Sequence, residues 1–140
     1  MISEGKVTAV YLGLVVRPYR FVVERRLSPT VVRFERHSPS TLRELMLGIF
    51  GVLAAVRSDF AKRLSSLDDG RFMGTRQERH FIAERRDLLY IGNPHLEKHA
   101  VEFQGYWVAT NIGHKEVGAI SRLACEAAGV NCESVAKLTL

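Results

Sequence analysis

The chain has 140 residues, of which 46% are hydrophobic and 25% are charged. These proportions are typical of an ordinary folded domain and exclude a disordered chain. The longest apolar stretch, Val7 to Val16, is about half as long as a membrane-spanning helix needs to be. It also lacks the basic start and the small-residue cleavage site of a signal peptide. We therefore expect a cytoplasmic protein without a membrane segment.

The charge of the chain is positive and unevenly distributed. Twenty Lys and Arg oppose fifteen Asp and Glu, which gives a net charge of +5. Residues 17–36 contain six Arg against two Glu, and residues 57–86 contain eight cations against five acids. Most of the cations are arginine, which suits bidentate contacts to phosphates and guanine edges. The excess indicates a polyanionic partner, and a merely solubilising surface charge is the alternative that composition leaves open.

The residues that usually carry catalysis do not form a familiar pattern. The sequence has no Gly-x-Ser-x-Gly elbow, no phosphate-binding glycine loop and no His-Glu-x-x-His. Cys125 and Cys132 are too few for a disulfide scaffold or a zinc site, so we expect two reduced, partly buried thiols. His95 and His99 have helical metal-ligand spacing, but Asn93-Pro94 favours a loop and no third ligand is nearby. We expect no enzyme activity, no metal and no cofactor.

The N-terminal part of the chain has the periodicity of β-strands. Apolar and polar residues alternate over residues 19–27 and again over residues 31–36, and Val7 to Val16 is apolar throughout. Alternation is typical of a half-buried strand, and a continuous apolar run is typical of a buried one. The pattern predicts a three-stranded antiparallel meander. We assign residues 1–38 to an N-terminal β-strand segment.

The period changes to that of helices after Ser38. Thr41 and Glu44 have the spacing of a capping box, and apolar residues recur at helical spacing over 42–57. A second helix is predicted over 58–67, with Ser58-Asp59 as its N-terminal cap. These two helices form a helical hairpin. It opens a domain that we assign to residues 39–140.

The C-terminal half predicts a small sheet and further helices. Short strands are expected at 80–83 and 102–110, with a helical turn at 87–91 and Trp107 largely buried. A helix that begins near Val117 ends at Gly129, and Asn131 is expected to cap a short terminal helix. The expected fold class is α+β. We expect a small antiparallel sheet that packs against about four helices, together with the N-terminal β-meander.

Two polar segments are candidate binding loops. The first, Arg71 to Arg79, is basic and contains Gly74, which can turn the backbone toward a phosphate. The second, Thr110 to Lys115, lies between a strand and a helix whose N-terminus can bind an anion. The Asn111 amide has the donor and the acceptor that read adenine in the major groove. The alternative is structural, with Asn and Gly only capping the helix and turning the chain.

The second loop also carries a family resemblance. Tyr-Trp-Val-Ala-Thr-Asn at 106–111, followed by Gly113-His114-Lys115 and a helix that ends at Ala128-Gly129, resembles the C-terminal DNA-binding domain of SeqA, the negative modulator of replication initiation. Upstream, Thr75-Arg76-Gln77-Glu78 stands where that family has Gly-Arg-Thr-Arg, before a short strand and two leucines. The resemblance covers about residues 42–140, and residues 1–41 match nothing in the family.

The resemblance implies an α+β domain that binds duplex DNA in the major groove through these two loops. It places Arg76 at the first Arg of the first loop, and Thr110, Asn111 and Lys115 in the second loop. Together with their neighbours, the candidate DNA-binding residues are Arg76, Gln77, Arg79, Thr110, Asn111, His114 and Lys115.

Two departures from the family pattern concern specificity. The second loop is two residues shorter than in the family, and Glu78 stands where the family has its second Arg. We therefore expect a small duplex-DNA-binding protein that distinguishes adenine methylation poorly, with a regulatory or accessory role in replication or in a phage or plasmid context. The alternative is a protein-binding module on the same scaffold, such as an inhibitor of a nucleic-acid-handling complex.

Overall fold

A four-stranded sheet joins the beginning of the chain to its C-terminal region. The computed structural model describes residues 5–14, 17–70 and 79–138. The strands of this sheet are β1 (Lys6–Gly13), β2 (Arg20–Ser28), β3 (Val31–His37) and β7 (Asn131–Ser134). Their order is β3-β2-β1-β7, and β7 runs parallel to β1 whereas the other pairs are antiparallel. The predicted meander is confirmed, and the mixed helix and strand content confirms the α+β class.

The apolar residues of the meander give the sheet one face that lies in the core. Val10 is opposite Val23 and Leu12 is opposite Phe21, and all four side chains are buried. The other face carries Tyr11 and other partly exposed side chains. This division follows from the period of two along each strand, which sends successive side chains to opposite faces.

Three α-helices lie in the described part of the chain: α1 (Leu42–Val56), α2 (Phe60–Leu67) and α3 (His114–Ala128). The predicted N-cap of α1 is present, since the Thr41 hydroxyl accepts from the Glu44 N–H at 3.1 Å. The reciprocal bond of the capping box is displaced by one residue, because the Glu44 carboxylate accepts from the Ser40 N–H at 2.9 Å. The predicted end of α3 is also confirmed, because Gly129 has a φ of +73° in the left-handed region.

The N-terminal cap of α2 differs from the expectation. The Asp59 side chain makes no capping hydrogen bond. The Ala61 N–H donates instead to the Gln104 side-chain oxygen at 3.1 Å. Gln104 has a positive φ of 50° and is followed by Gly105 with a φ of 82°, so both residues have the conformation of a tight hairpin turn. The turn therefore supplies a cap that no residue adjacent to α2 provides.

That turn divides the strand predicted over 102–110 into a hairpin. The second sheet consists of β4 (Ile82–Ala83), β5 (Ala100–Phe103) and β6 (Tyr106–Ala109), in the order β4-β6-β5. Trp107 is partly exposed and packs against a small cluster of buried residues, so the predicted burial of most of its ring is not contradicted. Val108 and Ala109 are fully buried, and the Arg86 guanidinium lies 5.1 Å from the Trp107 ring centroid.

The short terminal helix predicted from Asn131 is a strand followed by a single helical turn. Residues 131–134 form β7, and Val135–Lys137 is a 3-10 turn. Asn131 lies opposite Ala9, and Cys132 lies opposite Val10. Pairing with β1 satisfies the backbone of this segment, which the sequence pattern alone assigned to a helix.

One hydrophobic core receives side chains from both parts of the chain. It includes Val10, Leu12, Phe21 and Val23 of the meander together with side chains of all three helices, β4 and β6. Helix α1 approaches the sheet closely at Gly48, where an added Cβ would lie 3.2 Å from the Phe21 ring. A smaller cluster, formed by Ala83, Leu89, Tyr90 and Ala109, lies at the second sheet.

The two cysteines are free thiols near the junction of α3 and β7. The interaction of the two thiols raises the pKa of the buried Cys125 and lowers the pKa of Cys132, with Arg122 adding to the decrease. Cys132 also lines a cavity of about 250 Å³. The two thiols therefore differ in both access and readiness to ionise.

Removal of residues 1–38 is expected to prevent folding of the remainder. The fragment would leave β7 without its partner and would uncover the surface that Val10, Leu12, Phe21 and Val23 cover. Burial of four such side chains contributes about 6–12 kcal/mol, which is comparable with the whole stability of a domain. We expect a 39–140 fragment to aggregate or to melt without cooperativity in calorimetry, with the full chain as control. A soluble fragment with a cooperative transition would contradict the expectation.

Cys132 is expected to react selectively with iodoacetamide. The thiolate is the nucleophile, and because the pKa of Cys132 is lowered, its alkylation rate should rise with pH earlier than that of free cysteine. Cys125→Ala removes the neighbouring thiol that lowers the pKa of Cys132 and should move this profile to higher pH. Mass spectrometry of native and urea-unfolded protein identifies the labelled residue. Equal labelling of both cysteines in the native protein would show that the asymmetry is absent.

Candidate nucleic-acid interface

The second candidate loop, Thr110 to Lys115, follows β6 of the second sheet. Arg76 and Gln77 belong to residues 71–78, outside the described residues. The described residues on either side of this segment are hydrogen-bonded to each other, because the Arg79 N–H donates to the Gly70 carbonyl at 2.8 Å. Arg79 lies three residues before β4 (Ile82–Ala83). This strand and the bond to Gly70 fix the position of the Arg79 backbone.

A buried carboxylate holds the two ends of this segment together. Asp68, with no exposed side-chain surface, accepts hydrogen bonds from the backbone N–H groups of Gly70, Phe81 and Ile82 at 3.0, 2.9 and 3.2 Å. His80 Nδ1 lies 3.3 Å from the same carboxylate. Burial raises the pKa of Asp68, and the three N–H donors oppose this increase. Asp68 was not among the residues selected from the sequence, because it lies directly after the predicted helix over 58–67 and nothing local links it to residues 81 and 82.

Arg79 and Asn111 meet across the two loops. An Arg79 guanidinium nitrogen lies 3.4 Å from Asn111 Oδ1. The same oxygen accepts a hydrogen bond of 2.7 Å from the Tyr90 hydroxyl, and the Arg79 guanidinium lies 5.8 Å from the Tyr90 ring centroid. Burial raises the pKa of Tyr90, while the positive charge of Arg79 lowers it. Tyr90 was not among the candidate residues, since nothing in its local sequence pairs it with Asn111.

The second loop is held by Thr110 and leads into α3. The Thr110 hydroxyl donates to the His99 carbonyl. Gly113 is the N-terminal cap of α3 and makes no side-chain capping bond. Asn111 lies before this cap and its side chain bonds to Arg79 and Tyr90, so its role is not that of a helix cap.

The first turn of α3 presents both signs of charge. His114 and Lys115 are exposed. The Glu116 carboxylate, however, lies against Gly113 at the start of α3, because its Oε2 is 2.8 Å from the position that a Cβ on Gly113 would occupy. A carboxylate at the positive end of a helix is favourable for the helix, and it reduces the attraction of the same end for an external anion. Any anion at this interface is therefore held by side chains more than by the helix terminus.

The interface offers hydrogen-bond donors and few acceptors. The Asn111 oxygen already accepts from Tyr90 and Arg79, and its amide nitrogen donates to no other group in the described part of the chain. The remaining polar groups are the cations of Arg79 and Lys115, the imidazole of His114 and the carboxylate of Glu116 at the start of α3. The donors of this set match the oxygens of a phosphate, which accept only.

Two arginines of the basic segment 17–36 are bonded to a carboxylate within the four-stranded sheet. Arg25 and Arg33 lie opposite each other on β2 and β3, and both donate to Glu35 Oε1, at 2.6 and 2.8 Å. These bonds lower the pKa of Glu35 against the opposing effect of burial. The charge of this pair is thus partly neutralised within the sheet.

The described ranges contain no cluster of metal-ligating side chains and no helix suited to crossing a membrane. His95 and His99 belong to the 3-10 helix Pro94–His99, and among the described residues no three His, Cys, Asp or Glu side chains are grouped to hold a metal ion. None of the helices in the same ranges has the length and apolarity to cross a membrane. No protein-family model matches the chain, and no match was found among curated proteins or solved structures.

Replacement of Asp68 by Ala should destabilise the protein by about 3 kcal/mol, because three buried N–H groups lose their acceptor. Asp87→Ala is the matched control. Asp87 is exposed and pairs only with the exposed Arg85, and its loss should change the unfolding free energy by less than about 0.5 kcal/mol. Urea unfolding followed by circular dichroism measures both. Equal effects of the two substitutions would show that Asp68 does not hold the loop.

Proposed function

We propose that this protein binds duplex DNA, mainly through phosphates, at the surface formed by Arg79, Asn111, His114 and Lys115. The observation that carries the proposal is the contact between Arg79 and Asn111. These residues lie in the two segments that the SeqA resemblance assigns to DNA. We further propose a cytoplasmic, regulatory or accessory role in replication or in a phage or plasmid context, as that resemblance implies.

The chemistry of the surface favours contacts to the DNA backbone. Its available groups are donors and cations, and phosphate oxygens are acceptors that occur along every sequence. The net charge of +5 adds a long-range attraction for the polyanion. Binding of this kind releases counterions from DNA, so the affinity falls steeply as salt rises.

Recognition of a methylated adenine is not favoured by the same geometry. Reading adenine N6 and N7 requires both the donor and the acceptor of the Asn side chain. The acceptor of Asn111 is occupied by the buried Tyr90 hydroxyl at 2.7 Å. Turning Asn111 toward a base would leave that hydroxyl unsatisfied, at a cost of about 1–3 kcal/mol. We therefore propose little preference for hemimethylated over unmethylated sites.

Fluorescence anisotropy with unmethylated, hemimethylated and fully methylated duplexes tests the proposal. All three should bind with similar Kd at low salt. Arg79→Met should weaken binding by a similar factor on each duplex and reduce the slope of log Kd against log salt by about 1. Arg26→Met is the matched control, because it removes the same net charge at a different place. Arg26 donates to the Pro29 carbonyl at the turn between β2 and β3.

Two results would contradict the proposal in different ways. Strong hemimethyl selectivity would show that Asn111 leaves Tyr90 and reads the base. The absence of duplex binding at low salt would remove the DNA function and favour the protein-binding alternative.

The protein-binding alternative has one specific observation in its favour. Ile91 is 66% exposed and borders an open cavity of about 400 Å³ that Leu88, Ala83 and the carboxylate of Glu84 also line. An exposed apolar side chain beside a mixed cavity is the kind of anchor that protein interfaces use. Ile91→Ser should leave DNA affinity unchanged, and it would weaken a protein complex formed through this surface.

A further inference from the structure

The arginines of residues 17–36 differ in whether they have a partner. Four of the six make a hydrogen bond within the protein, to Tyr19, Glu35 or the Pro29 carbonyl. Arg20 and Arg36 are the other two, and neither side chain makes a hydrogen bond or an ion pair with any residue in the described ranges. Their charges are therefore available to a ligand.

These two arginines line one cavity at an end of the four-stranded sheet. Arg20 begins β2, and Arg36 lies opposite Val22 on β3, so the two side chains leave the same face of the sheet. The cavity has a volume of about 330 Å³, within the range of small-molecule sites. It is lined by Arg20, Phe21, Val22, Arg36, His37, Ser38, Val135 and Leu138.

The protein holds the lining side chains in place. The Arg20 stem crosses β1 at Gly13, where an added Cβ would lie 2.7 Å from Arg20 Cγ and 3.2 Å from Val135 Cγ2. The His37 ring stacks on Phe21 with a centroid distance of 4.5 Å and an interplanar angle of 7°. Placement of this kind reduces the entropy that a ligand must overcome on binding.

The carboxylates of the sheet have partners of their own. The Glu35 side chain leaves the opposite face of β3 from Arg36; its Oε1 accepts from Arg25 and Arg33, and His37 Nε2 lies 3.9 Å from its Oε2. On the face that carries Arg20 and Arg36, Glu24 accepts from the hydroxyls of Thr8 and Tyr11, and Glu133 pairs with Lys137. Two unpaired guanidinium groups in one cavity repel each other, and an anion between them removes that repulsion. Guanidinium groups also match phosphate oxygens in bidentate geometry.

We propose that this cavity binds a phosphate monoester that carries an apolar or aromatic group. Arg20 and Arg36 bind the phosphate, with Ser38 and His37 as further polar contacts. The apolar group lies against Phe21, Val22, Val135 and Leu138. Two sources offer the same chemistry, a small organic phosphate and the 5′-phosphate end of a nucleic-acid strand. The site is separate from the surface proposed above for duplex DNA.

Calorimetric titration of the full chain with phenyl phosphate tests the proposal. Phenyl phosphate should bind more tightly than inorganic phosphate, which lacks the apolar group, and than benzyl alcohol, which lacks the charge. Arg20→Met and Arg36→Met should each weaken binding about tenfold, the usual effect of losing a hydrogen bond to a charged group. Arg26→Met, at the other end of β2 and with the same charge change, should have no such effect.

Two conservative variants separate recognition from folding. Arg20→Lys keeps the charge but loses the bidentate geometry, and Gly13→Ala keeps Arg20 but displaces its stem. Both should weaken phenyl phosphate binding while leaving the melting temperature close to that of the unaltered chain. Absence of saturable phenyl phosphate binding, or an equal loss in Arg26→Met, would overturn the proposal.

The source of the phosphate is distinguished by short single-stranded oligonucleotides with a 5′-phosphate or a 5′-hydroxyl. If the ligand is a strand end, only the phosphorylated strand competes with phenyl phosphate, and it does so at lower concentration. If the ligand is a small organic phosphate, the two strands compete equally weakly. Arg79→Met should leave phenyl phosphate binding intact, so failure of the duplex proposal and failure of this one give different results.

Discussion

The parallel pairing of β1 with β7 is the constraint on which the other elements depend. It places β1 inside the sheet, between β2 and β7, so both sides of its backbone are hydrogen-bonded. Because β7 follows α3 after the left-handed residue Gly129, the pairing also sets α3 against the core face of the sheet. The turn after β7 contributes Val135 to the cavity beside Arg20. One strand pair thus links the core, the last helix and the proposed phosphate site.

The second sheet carries the other surface of interest, and polar contacts hold it. Asp68 binds the backbone on both sides of residues 71–78, while Tyr90 binds Asn111 from within the small cluster of buried residues. Buried polar groups are costly unless their partners are present. The same contacts that satisfy these groups therefore fix Gly70 and Phe81, on either side of residues 71–78, as well as Asn111, and they also limit what Asn111 can offer to a ligand.

Local signals explain which parts could be predicted from the sequence. The meander and helices α1 and α3 follow from periodicity and from caps such as Thr41 and Gly129, which act within a few residues. The strand at 131–134 could not be predicted, since its composition is not strand-like and only β1 makes it one. The candidate loops could be selected by composition, but the contact of Asn111 with Tyr90 could not. Likewise, the register of β2 and β3 places Glu35 beside Arg25, and this register decides which arginine side chains have an ion-pair partner.

The distance along the chain between β1 and β7 has a consequence for how the protein folds. Nearly all of the described chain lies between these two strands, so their contact closes a very long loop. Contacts of high sequence separation slow the search for the native state, and the entropy of closing the loop must be overcome before the contact stabilises anything. During synthesis, β1 has only β2 as a strand partner until the segment after α3 has left the ribosome. The apolar face of the meander lacks part of its cover during that interval, and exposed surface of this kind favours aggregation.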